Sequence, residues 1–563
     1  ELYANGFIQK MIPGDGTITR GDIDADYCAV DIATDLLRPD GNVSPDNQGG
    51  WTESSWTNLR RVNYMLDNMH RCRGRVSDEV YNHYEGVARF WRAWFYYDKV
   101  RTFGAVPWYD FTISASDKEA LTKPRDSREY VMDKVLEDLT FASTYCLADA
   151  KYTKGSALIN KWVALAFKSR VCLFEAAYRR YHNLTGLEIT PEELYREAAK
   201  AAKLVIDNSG CSLNTAAGKK GAYRDLFYSE TPLTQEVILA VCANEKSGIF
   251  GEQNWWFNAR SYGLCWSLVR SFVHTYLKQD GTPFTAAADY AVKSFAEEME
   301  GRDLRLEQTV RGRNFLWDGK TAVADIKNLS LTGYQVIKYT LDESKYDGGA
   351  KNINSIPLIR YAEVLLNYAE AQAELGVLTD SEWALTVGAL RKRAGITGGT
   401  ETLPTTVDSY LQRTFYPDVT SPVLLEIRRE RAIELVAEGM RFDDLRRWKC
   451  GSLMETLPWS GIHIPGLEQP VDVNGDGVND YYFTEGEVAS APAAYKNIAV
   501  RVNQDGVGLY AEANPVSGYD LVYKTGAGDR YWYPDGRQYL YPIPAKVIRD
   551  YRNAGYKIGR AHV

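Results

Sequence analysis

Apolar residues recur every three or four positions in five stretches of the first 210 residues, which is the spacing that places them on one face of a helix. Pro191 opens the fifth stretch and Gly210 closes it, as expected for the first turn and the end of a helix. The pattern predicts helices paired through short loops over 56–70, 82–100, 127–143, 156–181 and 191–209.

The same periodicity returns at IPLIRYAEVLLNYAEAQAELG (356–376), SEWALTVGALRKRAG (381–395) and RRERAIELVAEGMRFDDLRRWKCG (428–451). Alanines such as Ala362 and Ala369 allow close helix contact, as in tetratricopeptide-type pairs. Between 211 and 350, and from 452 to 545, the sequence changes to Gly, Asn, Asp and aromatic residues with short extended runs such as EVILAVC. We therefore predict a mostly α fold, in which helix pairs form a scaffold and a loop-rich half carries function.

The 428–451 stretch interleaves charges with apolar residues. On a helical wheel Arg431, Glu434 and Glu438 share one face, and Glu426 and Glu430 share an outward one. We predict a helix buried on two sides, whose carboxylates Glu434 and Glu438 pair with Arg431. The alternative is a glycosidase carboxylate pair, but adjacent arginines would lower the pKa that an acid catalyst needs raised.

Glu363 and Glu370 lie two turns apart on the preceding predicted helix and allow the same two interpretations. We predict that they pair with Arg360 and with neighbouring helices.

The sequence lacks the residues that several classes of function require. The sequence has no H-E-x-x-H, G-x-S-x-G or P-loop motif, and its eight cysteines include no C-x-x-C pair, so we expect free or incidentally paired core cysteines and no zinc site. The net charge of -8, without a basic run, argues against nucleic acid. No stretch is long and apolar enough to predict a membrane span.

DVNGDGVND (472–480) follows a calcium-loop pattern. Asp472, Asn474, Asp476 and Asp480 occupy positions 1, 3, 5 and 9, and Gly477 supplies the sharp turn at position 6. Phe483 stands where the bidentate Glu belongs. The sequence leaves two interpretations open, a structural calcium site or an Asx turn between strands; no other cofactor is expected.

Aromatic residues with polar handles are frequent, with 38 Tyr and 14 Trp against 18 Phe. In the loop-rich segments, rings stand beside Asn, Gln, Ser and Arg. A sugar packs its apolar face on a ring and offers its hydroxyls to such partners. The predicted ligand-binding residues are Trp317, Trp255, Trp256, Tyr262 and Trp51, with Trp317 the first choice.

Motifs along the whole chain resemble, in order, those of the SusD/RagB family of outer-membrane nutrient-binding lipoproteins of Bacteroidetes. They include EGVARFWRAWFYYDKVRTFGAVPW, TGYQVIKY, RYAEVLLNYAEAQAELG, RRERAIELVAEGMRFDDLRRW and YLYPIPAKVI. One departure is Gly388, which stands where the family often has Asn.

The resemblance implies a SusD-like region over 1–230 and a RagB/SusD region over 231–563, packed as one body. It further implies a non-catalytic, surface-exposed outer-membrane lipoprotein that captures oligosaccharides and delivers them to a TonB-dependent SusC-like transporter. It also implies a lipid anchor on a cysteine upstream of Glu1. Peptide binding, as in RagB-like receptors, is the first alternative; a glycoside hydrolase and a pure interaction scaffold are the others.

Overall fold

Helices carry most of the regular structure in the computed structural model, which describes residues 22–31, 33–38, 49–149, 156–258, 265–524 and 530–556. The helices are α1 (Glu53–Asn68), α2 (Asp78–Phe103), α3 (Lys118–Leu121), α4 (Arg128–Tyr145), α5 (Lys161–Tyr181), α6 (Pro191–Asn208), α7 (Asp225–Tyr228), α8 (Gln253–Asn258), α9 (Arg270–Val273), α10 (Phe295–Met299), α11 (Leu306–Thr309), α12 (Tyr361–Glu374), α13 (Asp380–Leu385), α14 (Val387–Arg393), α15 (Ser409–Phe415), α16 (Pro422–Glu434), α17 (Arg441–Arg447), α18 (Leu453–Thr456) and α19 (Ala545–Asn553).

Strands are short and lie mainly in the second half of the chain. They are β1 (Cys28–Ala29), β2 (Val237–Val241), β3 (Ser267–Leu268), β4 (Leu316–Trp317), β5 (Lys320–Thr321), β6 (Ile356–Arg360), β7 (Ser460–Ile464), β8 (Pro470–Val471), β9 (Tyr481–Thr484), β10 (Ala499–Arg501), β11 (Leu509–Ala513) and β12 (Tyr519–Tyr523). Three-stranded sheets form in the orders β10-β9-β8 and β11-β12-β7. The predicted mostly α fold with a loop-rich part is therefore confirmed.

The long helices form a continuous layer in which each packs on the next. The order of contact is α1, α2, α4, α5, α6, α12 and α16, and α17 also packs on α5. Gly86 permits the close approach of α2 to the end of α4, because a Cβ there would lie 2.8 Å from the Cys146 sulfur. That these pairs are tetratricopeptide repeats stays a prediction.

Two predicted helices begin later than the periodicity suggests. Helix α5 starts at Lys161, because the Asn160 side chain accepts hydrogen bonds from the Trp162 and Val163 amides and caps it there. In IPLIRYAEVLL the first five residues form β6, which pairs antiparallel with β2, and α12 begins at Tyr361. Buried strands and buried helices share a high apolar content, so periodicity alone does not separate them.

The predicted 381–395 helix is two helices, α13 and α14, broken at Thr386. Gly388 lies against the backbone of another segment, where a Cβ would fall 2.0 Å from the Thr400 carbonyl oxygen. This close approach accounts for glycine at the position where the resembling family often has Asn.

One hydrophobic cluster includes residues from both halves of the chain, among them Trp91, Phe167, Leu365 and Ile433. The predicted boundary between 230 and 231 itself stays a prediction. None of the eight cysteines, all of which lie in the described ranges, forms a disulfide bond; Cys72 is exposed and is not the core residue that we expected. Within the described ranges, we find no helix with both the length and the apolar character needed to cross a membrane.

Candidate functional site

A buried cluster of charges surrounds the end of α16. Glu434 is fully buried and accepts hydrogen bonds from Arg305 at 2.7 Å, from Arg360 at 2.5 Å and from Arg393. Burial raises the pKa of the Glu434 carboxyl, but the charges of these three arginines outweigh burial and hold it well below its usual range. Glu438 binds Arg360 at 2.6 Å and Lys338 at 2.7 Å, so its charge is paired as well.

The predicted pairing of Arg431 with Glu434 and Glu438 is wrong. Arg431 instead donates to Asp444 at 2.8 Å and to Asn367 at 2.8 Å. For Glu438 the helical wheel failed because α16 ends at Glu434 and the chain turns, with Ala437 at a φ of 63°. Glu434 lies on the helix as predicted, but arginines from other segments bind it. The turn brings α17 and its Asp444 back against Arg431.

The outward placement of Glu426 and Glu430 is also wrong. Both are buried, because α14 covers that face of α16 and its Arg391 binds them at 2.5 and 3.1 Å. Arg305 adds a second bond to Glu430 at 2.6 Å. The sequence of residues 422–434 does not indicate where α14 lies, so the helical wheel could not predict that this face is covered.

Glu363 and Glu370 pair with neighbouring helices, as predicted, but not with Arg360. Glu363 accepts from Arg170 of α5 at 2.6 Å, and Glu370 binds Arg447 of α17. Arg360 sits at the end of β6 in extended backbone and points to Glu434 and Glu438 instead. All these carboxylates serve as buried ion-pair partners. The pKa values of Glu434 and Glu438 are both lowered, which is the opposite of what a glycosidase acid requires.

Trp317 lies beside the tight turn of the β4–β5 hairpin. Asp318 and Gly319 form this turn with φ values of 50° and 74°, the positive values that a two-residue hairpin of Asp-Gly type adopts. The indole is half-buried. It packs near the ring of Phe315, with centroids 6.4 Å apart, and lies 5.2 Å from the buried Arg311 guanidinium. Its environment thus fixes one side of the ring and leaves part of it exposed.

The segment 341–347 ties the hairpin to the neighbouring α8. Asp318 accepts a hydrogen bond from the Ser344 amide at 2.9 Å, and its own amide donates to the Asp342 carbonyl. On the other side, Asn254 of α8 bonds to both the amide and the carbonyl of Leu341. Trp317 and α8, which carries Trp255 and Trp256, therefore flank one segment.

Trp255 and Trp256 are half-buried, with ring centroids 5.0 Å apart. The neighbouring Asn254 and Gln253 are of the residue types that we expect to bind sugar hydroxyls, but their side chains point into the protein. They are buried, and their amides bond to Leu341 and Asn352 and to the Asn354 carbonyl. These hydrogen bonds hold α8 in place, although the Gln253 Oε1 atom has no hydrogen-bond partner among the described residues.

Trp51 lies apart from this surface, in contact with Trp56 and with Phe103 of α2. Tyr262 lies outside the described residues. Sequence reasoning missed Phe315 and Arg311, which support Trp317. The sequence could have indicated Phe315, because residues two apart in an extended chain share a face. No sequence pattern indicated Arg311.

The predicted calcium loop connects the antiparallel strands β8 and β9. Asp472 accepts from the Gly475 and Gly477 amides at 2.7 and 2.8 Å, and Asp480 accepts from the Val473 amide at 2.8 Å. Among the described residues, no three His, Cys, Asp or Glu side chains are grouped to hold a metal. This conformation is that of an Asx-type turn. Calcium binding by Asp472, Asn474, Asp476 and Asp480 stays a prediction.

Two family profiles and a known protein match parts of this chain. Residues 235–556 match the profile of the SusD family, and residues 38–173 match a profile described as starch-binding associating with outer membrane. The chain is 25% identical over 437 residues to SusD-like protein P2 of Formosa agariphila, covering 73% of this chain and 74% of that protein.

Solved structures share the architecture. A SusD-like carbohydrate-binding protein of Bacteroides fragilis superimposes with a TM-score of 0.65 at 19% identity, covering 95% of this chain and 91% of that one. A SusD-like carbohydrate-binding protein of Bacteroides vulgatus gives a TM-score of 0.56 at 15% identity, covering 98% and 94%. Because the family profile alone spans more than half of the sequence, the chain belongs to the SusD/RagB family.

Proposed function

We propose that this protein is a cell-surface glycan-binding protein that captures oligosaccharides and delivers them to a TonB-dependent SusC-like transporter in the outer membrane. Family membership supports the class of function, and structural neighbours named as carbohydrate-binding proteins support the ligand class. The profile matched by residues 38–173 supports association with the outer membrane. In this proposal the protein is a lipoprotein anchored through a cysteine upstream of Glu1 and does not catalyse a reaction.

The observation that carries the ligand assignment is the supported, half-exposed ring of Trp317. A pyranose stacks its C–H face on such a ring, and the ring loses little conformational entropy on binding if it is already held in place. Here Phe315 and Arg311 hold it, and the turn of its hairpin is bonded to the 341–347 segment. Asp318 and Lys320 beside it supply charged groups for hydroxyls.

The test is calorimetric titration of the folded protein with hexasaccharides of glucose, xylose, mannose and galactose, and with hexapeptides. Trp317→Ala is expected to weaken saccharide binding by roughly tenfold or more, because it removes the stacking surface. Trp255→Ala, across the 341–347 segment, is expected to weaken it less. Leu316→Ala is the matched control, since Leu316 is 51% exposed and points to the other face of the same hairpin.

Three results would contradict the proposal or a part of it. If Trp317→Ala and Trp255→Ala bind saccharide as tightly as the parent while remaining folded, the ligand site lies elsewhere. If the parent binds hexapeptides and none of the saccharides, the RagB-like peptide receptor replaces the glycan receptor. Turnover of any oligosaccharide by the purified protein would overturn its assignment as non-catalytic.

A further inference from the structure

An aromatic cleft of about 680 Å³ lies between α1, the 107–121 segment and α19. Its volume falls within the range of about 300–1,000 Å³ typical of small-ligand sites. None of Trp317, Trp255 and Trp256 lines this cleft. Five rings from these elements line it, namely Trp51, Trp56, Tyr109, Phe111 and Tyr551.

Four of these rings are at least partly exposed to solvent, whereas Tyr109 is buried. Phe111 is 43% exposed, and Trp51 and Trp56 are half-buried. Trp51 and Trp56 contact each other edge-on at 5.4 Å, so their faces point in different directions. Exposed rings grouped in one concave place mark a binding site more often than a folding requirement.

Polar side chains interrupt the aromatic lining. Thr52, Thr57, Arg60 and Asp550 all line the cleft. Arg60 already donates to the Ile113 carbonyl and Asp550 already binds Lys546, but each keeps further positions that can bond to hydroxyl groups. A saccharide unit presents an apolar C–H face and a rim of hydroxyls at once, so this alternation of rings with hydroxyl, guanidinium and carboxylate groups matches its chemistry.

A peptide strand fits the cleft less well, because the backbone of the cleft wall is already bonded. Asn63 donates to the carbonyls of Tyr109 and Phe111 at 2.9 and 3.0 Å, and Arg60 donates to the carbonyl of Ile113 at 2.8 Å. The Tyr551 hydroxyl donates a hydrogen bond to the Leu121 carbonyl. Peptides that bind by β-strand addition need free backbone groups at an edge, and these four carbonyls are engaged.

We propose that this cleft is a second saccharide-binding site, formed by α1, the 107–121 segment and α19. The inference rests on the proposed function for the ligand class, but it does not depend on Trp317. Two separate sites on one receptor would let a long glycan bind at two points, which raises its overall affinity by increasing the effective concentration at the second site.

The experiment titrates the full chain with the same hexasaccharides and hexapeptides, using the parent, Trp317→Ala, Phe111→Ala and the double variant. We expect two saccharide-binding events in the parent, one in each single variant and none in the double variant. Phe111 lies at the exposed side of the cleft, so its replacement tests binding with little effect on folding. Tyr64→Ala is the control, since Tyr64 is on α1, is 59% exposed and lies outside the cleft.

The outcomes separate the two proposals. Saccharide binding that Trp317→Ala removes completely, in a parent with one site, overturns the second site and leaves the proposed function intact. Binding that Phe111→Ala weakens by roughly tenfold and Trp317→Ala leaves unchanged supports the cleft and contradicts the Trp317 site. Hexapeptide binding lost in Phe111→Ala overturns the saccharide assignment of the cleft, and a parent that binds no saccharide overturns both proposals. A melting temperature unchanged in Phe111→Ala shows that these comparisons report on binding.

Discussion

At the scale of single residues, the least predictable feature is the partner of each buried charge. Moving a carboxylate out of water costs several kcal/mol, so Glu434 is stable in the interior only because arginines from three separate segments reach it. The helical wheel correctly suggested that Glu434 needed a cation. It proposed the cation nearest in sequence, whereas Arg305, Arg360 and Arg393 arrive from elsewhere in the chain.

Replacing Glu434 with Gln is expected to lower the free energy of unfolding by about 3–5 kcal/mol, because three buried arginines lose a shared counter-charge. Chemical denaturation of parent and variant measures this difference. Glu192→Gln is the control, since Glu192 binds Arg180 at 2.8 Å on the surface and should change stability by at most about 1 kcal/mol. Saccharide affinity of the folded Glu434→Gln protein should equal that of the parent. A loss of affinity at unchanged stability would show that Glu434 belongs to a site and not to the scaffold.

At the scale of elements, the ends of helices and the conformation of loops decided what periodicity could not. Helix α16 stops at Glu434, β6 precedes α12, and Thr386 separates α13 from α14. Each boundary depends on a contact with another segment. The conformation of turns depends more on the local sequence. Gly477, the glycine predicted to form the sharp turn in the 472–480 loop, has a φ of 87°.

The 472–480 loop gives a prediction at this scale. Burial, with the charges of Asp472 and Asp476 adding to it, raises the pKa of Asp480, and a bound cation would relieve that repulsion. We expect millimolar calcium to raise the melting temperature in proportion to the logarithm of its excess over the dissociation constant. Asp476→Ala should abolish this rise, whereas Asp505→Ala, outside the loop, should retain it. A melting curve that neither calcium nor EDTA moves would leave the Asx turn as the correct interpretation.

At the scale of the whole molecule, buried titratable groups link folding to pH. Burial lowers the pKa of His182, which stacks on Tyr178 with centroids 4.0 Å apart, to about 4. Burial also raises the pKa of Asp22, to about 6, and this acts in the opposite direction. A melting curve of the parent alone would mix these effects, so the difference between parent and variant is the useful quantity.

His182→Gln is expected to flatten the acid side of the stability profile. Between pH 6.5 and 4 the unfolded chain protonates this imidazole and the folded chain does not, so its contribution to stability falls as the pH falls through that window. Gln retains a donor for the Arg446 carbonyl, which lies 2.8 Å from the imidazole. Melting temperatures of parent and variant from pH 8 to 4 test this: their difference should be constant above pH 7 and change steadily below 6.5. A constant difference throughout would contradict the depressed pKa.

The sequence by itself determined the elements with strong local signals. Helices α1, α2, α4 and α6 follow from apolar periodicity and end signals, and the order of motifs predicted the family. It also singled out Trp317, which stands among Arg313, Asn314, Asp318 and Gly319 in a segment without helical periodicity; that Trp317 binds the ligand stays a prediction. These properties depend on residues within a few turns of one another, which is the range over which sequence patterns act.

Only the tertiary structure decided which segments meet. It paired Glu434 with Arg305, Arg360 and Arg393, separated Trp51 from Trp317, and turned the amides of Gln253 and Asn254 inward. The physical reason is the same in each case. The free energy of burying a charge, an amide or a ring depends on its neighbours in space, and residues from 41 to 129 positions away in sequence supply those of Glu434.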